Sequence, residues 1–435
     1  MKCRPAIGSL VLVSLFLAGC SGGGGGSSPT PASGVTISSF TSGAGQVNQG
    51  QTATLSWALS GPASSLTLDG VALPVSQASA TVTPIRRQTY TLAATGGGGT
   101  DTKTVTVVAR GLSLLAGDAN TAGTADGPGA TARFNRPIYV SLDSQGNAIV
   151  SDQSNHAIRK VTPAGVVSTL VGTTGTRGYQ NGPVATAQLF LPRGHAFDST
   201  GNLFVMDAFN NVIRKVSGGT VTTFCGTYLT DGSLDGAPNI ALFNYPNGMT
   251  IDSTGNLIVC DSNNFTVRKV TPAGTVSTIA GTALVQGSAN GTGPAASFGY
   301  VEGPVMDPSG NIFIADGTYN TIRKITPAGV VTTLAGTPGT NGSVDGLGPA
   351  ARFTTPVQIA LDGAGNLYVA DLGNGTIRKI SPAGQVATLV GQPGIQNAVP
   401  GPFPASLKEP FGVAVMPSGD LVILTGNAVF VATAP

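Results

Sequence analysis

One sequence unit recurs five times between Gly146 and Gly391, and it constrains the fold more than any other feature. Its first copy reads GNAIVSDQSNHAIRKVTPAGVVSTLVG from Gly146. An Asp holds the same place in every copy at intervals of about 55 residues. These aspartates are Asp152, Asp207, Asp261, Asp316 and Asp371. So regular a period indicates one supersecondary unit repeated along the chain.

Each unit contains four short apolar segments that turn residues separate. In the first unit they begin at Ile138, Ala148, Ala157 and Val166. Segments of this length and composition predict strands, and four consecutive strands predict an antiparallel sheet of the kind that forms one propeller blade. The whole chain contains 63 Gly and only 10% charged residues, which favours a turn-rich all-β fold.

A sixth unit, from Phe411 to the C-terminus, supplies only three of the four strands. Thr425 stands where the other units have Asp. The segment GLSLLAG, from Gly111 to Gly117, matches the missing fourth strand and precedes the first complete unit. We therefore predict that this N-terminal strand completes the last blade, which would close the ring and remove an exposed sheet edge.

The units resemble NHL repeats in four features: a Gly-Asn turn, an apolar strand ending in Asp, an Asn three residues later, and an Ile-Arg-Lys strand. The asparagines are Asn155, Asn210, Asn264, Asn320 and Asn374, and the fourth falls one place late. The resemblance implies a six-bladed β-propeller over residues 111–435. It implies no single activity, because propellers of this kind include protein-binding and RNA-binding modules, lyases and lactonase-like enzymes.

The N-terminus has the pattern of an export signal. Lys2 and Arg4 precede an apolar run that, at about 14 residues, is too short to span a bilayer. Its end, Leu17-Ala18-Gly19-Cys20, resembles the lipobox of bacterial lipoproteins. The resemblance implies lipidation of Cys20 and removal of residues 1–19 as a signal peptide. An ordinary signal peptide with an incidental Cys is the alternative.

The predicted mature chain begins with a tether and a small β-domain. Residues 20–34 are rich in Gly, Ser and Pro and predict a flexible tether. Residues 35–109 alternate apolar and polar positions, and Ala53, Leu55 and Trp57 share one strand face. This segment looks like a bacterial immunoglobulin-like β-sandwich with Trp57 in its core. By resemblance to the sorting of Gram-negative lipoproteins, Ser21 after Cys20 implies the outer membrane. We therefore expect a lipid-anchored cell-envelope protein, periplasmic or surface-exposed.

Charge and cysteine content limit the partners. The net charge of +2 creates no strong field, so nucleic acid is not an expected partner, and a membrane is expected only through the lipid anchor. A monomer is expected. Cys225 and Cys260 lie in apolar strand-like segments and predict two separate buried thiols, with a disulfide as the alternative.

The repeated charged residues favour structural roles. Each repeated Asp ends a strand, where its carboxylate is expected to accept hydrogen bonds from backbone N–H groups two or three residues later. Each unit also contains one Arg-Lys pair, and adjacent strand residues face opposite sides of a sheet. One member of each pair is therefore predicted to meet a carboxylate between the sheets. The pairs are at 159/160, 214/215, 268/269, 323/324 and 378/379.

The first strand of each unit carries the most informative irregularity. Its second position is polar in three consecutive units and apolar in the other three. The occupants are Ile138, Arg193, Asn247, Glu302, Val357 and Phe411. His195 follows on the same strand as Arg193. We take Arg193, His195, Asn247 and Glu302 as candidate ligand-binding residues at the channel mouth, with solvated rim residues as the alternative.

The residue inventory gives little support to catalysis. The only histidines are His156 and His195, so a three-His zinc site cannot be assembled. No catalytic residue, metal ligand or cofactor is predicted. The predicted function is a lipid-anchored binding or scaffold protein that recognises a protein, peptide or glycan. The alternative is a metal-assisted lyase or lactonase-like enzyme with Asn247 and Glu302 at the channel mouth.

Overall fold

The computed structural model describes residues 34–434. Cys20, the predicted signal peptide and almost all of the predicted tether therefore lie outside the described residues. The first eight strands are β1 (Thr36–Ser42), β2 (Gln46–Asn48), β3 (Ala53–Ser60), β4 (Ser65–Leu68), β5 (Val71–Leu73), β6 (Ser79–Val82), β7 (Gln88–Gly96) and β8 (Gly99–Gly117).

These strands form two sheets around one apolar core. One sheet has the order β1-β3-β6, and β5-β4-β7-β8 lie in the other, with β2 parallel to part of β8. Ala53, Leu55 and Trp57 alternate with exposed residues along β3 and point into the core. The indole Nε1 of Trp57 donates a hydrogen bond of 2.8 Å to the Gln77 carbonyl, so its polar atom is satisfied.

The remaining strands follow the repeat. They are β9 (Gly127–Pro128), β10 (Pro137–Leu142), β11 (Ala148–Asp152), β12 (Ala157–Val161), β13 (Val166–Val171), β14 (Gly182–Pro183), β15 (Pro192–Phe197), β16 (Leu203–Asp207), β17 (Val212–Ser217), β18 (Thr220–Cys225), β19 (Pro246–Ile251), β20 (Leu257–Asp261), β21 (Thr266–Val270), β22 (Val276–Ala280), β23 (Gly291–Thr292), β24 (Val301–Met306), β25 (Ile312–Asp316), β26 (Thr321–Ile325), β27 (Val330–Ala335), β28 (Gly346–Leu347), β29 (Pro356–Leu361), β30 (Leu367–Asp371), β31 (Thr376–Ile380), β32 (Gln385–Gly391), β33 (Pro410–Val415), β34 (Leu421–Thr425) and β35 (Ala428–Thr433). Single 3-10 turns lie at Gly129–Thr131, Gln153–Asn155, Ala208–Asn210, Ser262–Asn264, Gly293–Ala295, Gly348–Ala350 and Leu372–Asn374.

The strands from β10 onward assemble into six antiparallel sheets, numbered 1 to 6 in chain order of their first strands. Sheets 1 to 5 begin with β10, β15, β19, β24 and β29, and each continues through the next three long strands. Sheet 6 has the order β33-β34-β35-β8. The six first strands contact one another in sequence, and β33 of sheet 6 also contacts β10 of sheet 1. These first strands therefore surround a common axis.

Strand β8 belongs to both parts of the molecule. Its first half pairs with β7 of the N-terminal sheets, and Gly111–Gly117 pairs antiparallel with β35. This is the segment that the sequence predicts as the fourth strand of the last sheet. A single continuous strand thus links the two parts without an intervening loop.

A buried ion pair repeats in sheets 1 to 5. Arg159 NH1 lies 2.8 Å from the Asp152 carboxylate, and both side chains are inaccessible to solvent. The guanidinium also stacks 5.3 Å above the buried ring of Phe134. The corresponding pairs are Arg214–Asp207, Arg268–Asp261, Arg323–Asp316 and Arg378–Asp371. The prediction that one member of each Arg-Lys pair would contact a carboxylate is therefore confirmed.

The hydrogen bonds predicted for these aspartates are wrong in four sheets of five. Asp152 Oδ1 accepts from the backbone N–H of Asn135, 17 residues earlier, at 2.7 Å, and Oδ2 accepts from the Asn155 side chain. The carboxylate therefore fastens the preceding inter-sheet segment instead of capping its own turn. Only in sheet 4 does an N–H three residues later, that of Tyr319, donate to the Asp, at 3.2 Å from Asp316.

Cys225 and Cys260 are both free and buried, in separate apolar clusters. The prediction of two separate thiols is confirmed. Among the described residues, none of the helical segments has the length and apolar character needed to cross a membrane.

Candidate functional site

The channel around the axis is nearly closed by the third residue of each first strand. Four of these residues are glycine, and they let neighbouring strands approach closely. A Cβ added at Gly303 would lie 2.6 Å from the Gln358 Cα, and its φ of 54° also favours glycine. The six residues are Tyr139, Gly194, Gly248, Gly303, Gln358 and Gly412.

Tyr139 and Gln358 fill the space that the glycines leave, and they form a floor across the channel. The Tyr139 hydroxyl donates to the Met249 carbonyl, two sheets away, at 2.8 Å. The Gln358 amide bonds both the N–H and the carbonyl of Val140, at 3.1 and 2.7 Å. These bonds are buried and give every polar atom of the two side chains a partner, so the floor is a fixed part of the fold.

On one side of this floor, the three polar candidates of sheets 2 to 4 form a cluster that we call the mouth. Arg193 NH1 lies 3.7 Å from a Glu302 carboxylate oxygen across the channel, with Asn247 on the sheet between them. The side chains of Arg193 and Glu302 are 11% and 18% exposed, so solvent or a ligand can reach both.

Two tyrosines complete the mouth. Arg193 NH2 donates to the Tyr245 hydroxyl at 3.2 Å, and its guanidinium lies 4.8 Å above the same ring. Asn247 Nδ2 donates to the Tyr300 hydroxyl at 3.3 Å. Sequence reasoning missed Tyr245 and Tyr300, although both occupy the place just before the first strand. Comparing that place among the units would have found two aromatic residues beside the polar candidates.

The mouth leaves much of its hydrogen-bonding capacity unused. The Arg193 side chain donates one hydrogen bond to the described residues, and its buried Nε has no partner there. The Glu302 carboxylate faces the Arg193 guanidinium and the Asn247 amide. By contrast, Arg159 makes five hydrogen bonds, two of them to backbone carbonyls. The five structural arginines each donate four or five hydrogen bonds, although Nε has no partner in three of them, Arg214, Arg323 and Arg378. The single bond of the Arg193 side chain is therefore a local property of the mouth.

The pKa values of Glu302 and Arg193 are both raised above their ordinary values. Burial raises the pKa of Glu302 above its ordinary value, while Arg193 and the Asn247 amide oppose this rise. Burial by itself lowers the pKa of Arg193, but the effects of Tyr300 and Glu302 outweigh it, and the pKa is raised above its ordinary value. Arg193 is therefore always cationic, and Glu302 takes up a proton more readily than an exposed glutamate.

His195 lies apart from the other three candidates. It lines a cavity of about 320 Å³ together with Tyr139 and Gln358 and is 1% exposed. Ser151 Oγ hydrogen-bonds the Arg193 carbonyl and lies 2.9 Å from His195 Nδ1. Because the single hydroxyl proton goes to the carbonyl, Nδ1 must donate to Ser151. Burial lowers the pKa of His195 to about 4, so the ring is neutral.

The larger cavities of the described structure offer fewer polar side chains that are free to bind a ligand. One of about 620 Å³ lies between the turns that carry Asp143 and Asp362. Both carboxylates are already bonded within their own turns, for example to the side chains of Asn147 and Asn366. Within residues 34–434, no group of three His, Cys, Asp or Glu residues could hold a metal ion. The mouth is therefore the best candidate site.

Comparison with known proteins agrees with the repeat. The family model of the NHL repeat matches residues 243–270. The protein SUPPRESSOR OF QUENCHING 1, chloroplastic, of Arabidopsis thaliana is 28% identical over 282 residues, which cover 61% of this chain and 26% of the relative. NHL repeat-containing protein 2 of Homo sapiens is 27% identical over 320 residues, covering 65% of this chain and 44% of the relative. The chain thus spans less than half the length of these relatives.

Two solved structures share the fold over almost the whole chain. Both are described as auxiliary nutrient binding proteins. The one from Bacteroides ovatus has a TM-score of 0.61 and 15% identity, covering 93% of this chain and 99% of that chain. The one from Bacteroides thetaiotaomicron has a TM-score of 0.57 and 16% identity, covering 92% and 98%. The repeat match and this likeness together support an all-β, NHL-repeat propeller for the chain.

Proposed function

We propose that this chain is a ligand-binding protein whose recognition site is the mouth formed by Arg193, Asn247 and Glu302. One observation carries the proposal: a guanidinium and a carboxylate that solvent can reach face each other at 3.7 Å, and the guanidinium donates only one hydrogen bond to the described residues. A ligand with an acceptor for Arg193 and a donor for Glu302 would form charge-assisted hydrogen bonds to both. A protein, a peptide and a glycan all carry such groups.

The proposed architecture is a six-bladed NHL-type propeller over residues 111–435, preceded by an immunoglobulin-like sandwich over residues 35–109. The ring of contacts among six first strands supports six blades. The two sheets around Trp57 support the sandwich. Two solved structures with this fold are described as auxiliary nutrient binding proteins, which agrees with a binding role for this chain. In this arrangement the sandwich is a spacer that holds the propeller away from the anchor.

The proposed location is the cell envelope, probed through Cys20 as the lipid-anchored residue. We expect Cys20→Ala to abolish the acyl mass on the mature protein, because diacylglycerol is attached to that thiol in the lipoproteins that the lipobox resembles. Intact-mass spectrometry of the purified protein measures this directly. Cys3→Ala is the matched control, since Cys3 leaves with the proposed signal peptide and should change nothing. Wild-type protein without acyl mass would refute the anchor.

Ligand recognition can be tested with the whole protein in detergent on peptide and glycan arrays. We expect the triple variant Arg193→Ala, Asn247→Ala, Glu302→Ala to bind the best array hit at least about tenfold more weakly, since each charge-assisted hydrogen bond contributes on the order of 1.5–3 kcal/mol. Its melting temperature should fall only slightly, because the triple substitution removes both charges of the Arg193–Glu302 pair together and so leaves no unpaired buried charge.

The control for this experiment replaces Lys160 and Lys269 by Ala. Both are members of the repeated Arg-Lys pairs, are only partly buried, and lie on the third strands of sheets 1 and 3, whereas the mouth is formed by first strands. The control should bind as the wild type does. Unchanged affinity in the triple variant, measured by surface plasmon resonance, would show that the ligand binds elsewhere.

A further inference from the structure

Two loops on the mouth side of the molecule break a backbone rule that the other loops keep. In each loop after sheets 1 to 5, one of the residues with a positive φ donates its N–H to a carbonyl of the turn that follows the second strand. In three loops this residue is glycine, with φ between 74° and 82°. In the other two it is leucine, at φ 50° and 62°. The five residues are Gly175, Leu229, Leu284, Gly339 and Gly394.

Folding of the chain alone does not explain these leucines. A left-handed backbone is unfavourable for a residue with a Cβ, and glycine adopts it freely. The side chains of Leu229 and Leu284 are 55% and 69% exposed, so burial in the fold does not offset that strain. Other apolar or aromatic residues with a positive φ, such as Leu191, Tyr245 and Phe265, are partly buried. Among the described residues, only Leu229 and Leu284 therefore combine this backbone with an exposed apolar side chain. Such a combination favours a role in an interaction.

Other exposed apolar residues lie beside the two leucines in sequence or on the turn that Leu229 contacts, and we call the leucines and these residues the leucine shelf. Tyr228 and Val285, next to them in sequence, are 44% and 51% exposed. Phe209, on the turn that receives the Leu229 N–H, is 45% exposed and packs 4.2 Å from the Phe190 ring. The shelf comprises Phe209, Tyr228, Leu229, Leu284 and Val285.

The shelf adjoins the mouth through backbone hydrogen bonds. Leu284 N–H donates to the Asn264 carbonyl, and the neighbouring Asn263 N–H donates to the Asn244 carbonyl at 3.2 Å. Asn244 directly precedes Tyr245, which accepts the hydrogen bond from Arg193. The two loops extend from sheets 2 and 3, which also carry Arg193 and Asn247. Polar mouth and apolar shelf therefore lie on the same sector of one face.

We propose that the ligand is a peptide segment whose apolar side chains cover the leucine shelf while a polar end binds Arg193 and Glu302. This inference rests on the proposed function and names its ligand class. Exposed Leu and Val side chains are stabilised by apolar side chains that exclude water. Sugar hydroxyls would lose hydration against them without replacing it. A peptide carboxylate or carbonyl suits the free donors of Arg193, and peptide N–H groups suit Glu302.

The test uses two variants of the whole protein and three sets of immobilised probes. The probes are hexapeptides with Leu, Phe or Val at the last two positions, the same hexapeptides with Ser there, and neutral oligosaccharides. The shelf variant is Leu229→Gly, Leu284→Gly, which matches the residues of the other three loops and should fold at least as stably. Its control, Val344→Ala, Ile395→Ala, removes exposed aliphatic side chains from loops after sheets 4 and 5.

We expect the wild type to bind the apolar hexapeptides at least tenfold better than the serine hexapeptides. The shelf variant should lose that preference, and the control should keep it. Binding of oligosaccharides instead of peptides, or an unchanged preference in the shelf variant, would overturn the peptide inference. In those cases the triple mouth variant still decides the proposed function: lost binding supports it, and retained binding refutes it.

Discussion

Arginine has two distinct roles in this chain, and its surroundings decide between them. Arg159 and its four counterparts are fully buried and bonded to Asp carboxylates and backbone carbonyls. Removing one partner of such a pair would leave a buried, uncompensated charge. Arg193 follows Pro192, is not part of a repeated Arg-Lys pair, and leaves most of its donors without a partner. The repeated arginines therefore stabilise the sheets, whereas Arg193 is available to a ligand.

His195 makes a measurable contribution to the pH dependence of stability. Burial lowers its pKa to about 4, whereas an unfolded chain protonates histidine near pH 6.5. Between these values the unfolded state binds more protons, so the free energy of unfolding falls as the pH decreases. We expect wild type to lose on the order of 3 kcal/mol more than His195→Asn between pH 7 and pH 4.

Urea denaturation of both proteins at several pH values measures this difference. Asn keeps a donor for Ser151 but does not titrate, so any cavity cost appears equally at every pH. Burial raises the pKa of the five buried aspartates to about 6, which favours the folded state at low pH, but both proteins share that effect. Parallel stability curves would show that His195 does not titrate in this window.

At the scale of single elements, the repeat predicted the strands well because each apolar segment is bounded by a turn signal. In the first complete unit, the predicted strands at Ala148, Ala157 and Val166 begin where the structure has β11, β12 and β13. Alternation also predicted that Trp57 would be buried. These features depend on residues close in sequence, so a local pattern is enough to find them.

Features that depend on distant residues could not be predicted in this way. Asp152 bonds the N–H of Asn135 across an inter-sheet segment, whereas local reasoning assigned it to its own turn. The mouth was predicted only in part, because Arg193 and Glu302 share a strand position that the repeat makes visible. The position of His195 on the far side of the floor depends on Tyr139 and Gln358, from sheets 1 and 5. No spacing within one unit contains that information.

At the scale of the whole molecule, strand β8 and one ion pair join the N-terminal sheets to sheet 6. Arg87 bonds both carboxylate oxygens of Asp420, at 3.0 and 3.2 Å. In sheets 1 to 5 this turn position is Asn, bonded to an Asp four residues earlier. In sheet 6 the earlier residue is Met416, so Asp420 is free to accept from Arg87 and from the Ala434 N–H. In sheet 6 the Asp420 carboxylate therefore binds Arg87 of the N-terminal sheets, and the Asn–Asp hydrogen bond of the other five turns is absent.

We expect Arg87→Ala to lower the free energy of unfolding by on the order of 1 kcal/mol. Arg87 is 36% exposed, which limits its contribution, but Asp420 is only 5% exposed and would lose its counter-ion. Asp420→Asn should cost a similar amount, and the double variant little more than either alone, because the two residues act through one contact. Urea denaturation of the four proteins measures the coupling.

Arg86→Ala is the matched control for this cycle, because Arg86 neighbours Arg87 in sequence but forms no ion pair within 4 Å among residues 34–434. Hydrogen exchange adds a local measurement: the Ala434 amide should exchange faster in Asp420→Asn, since its acceptor there loses charge. Additive losses in the double variant would mean that Arg87 and Asp420 act independently.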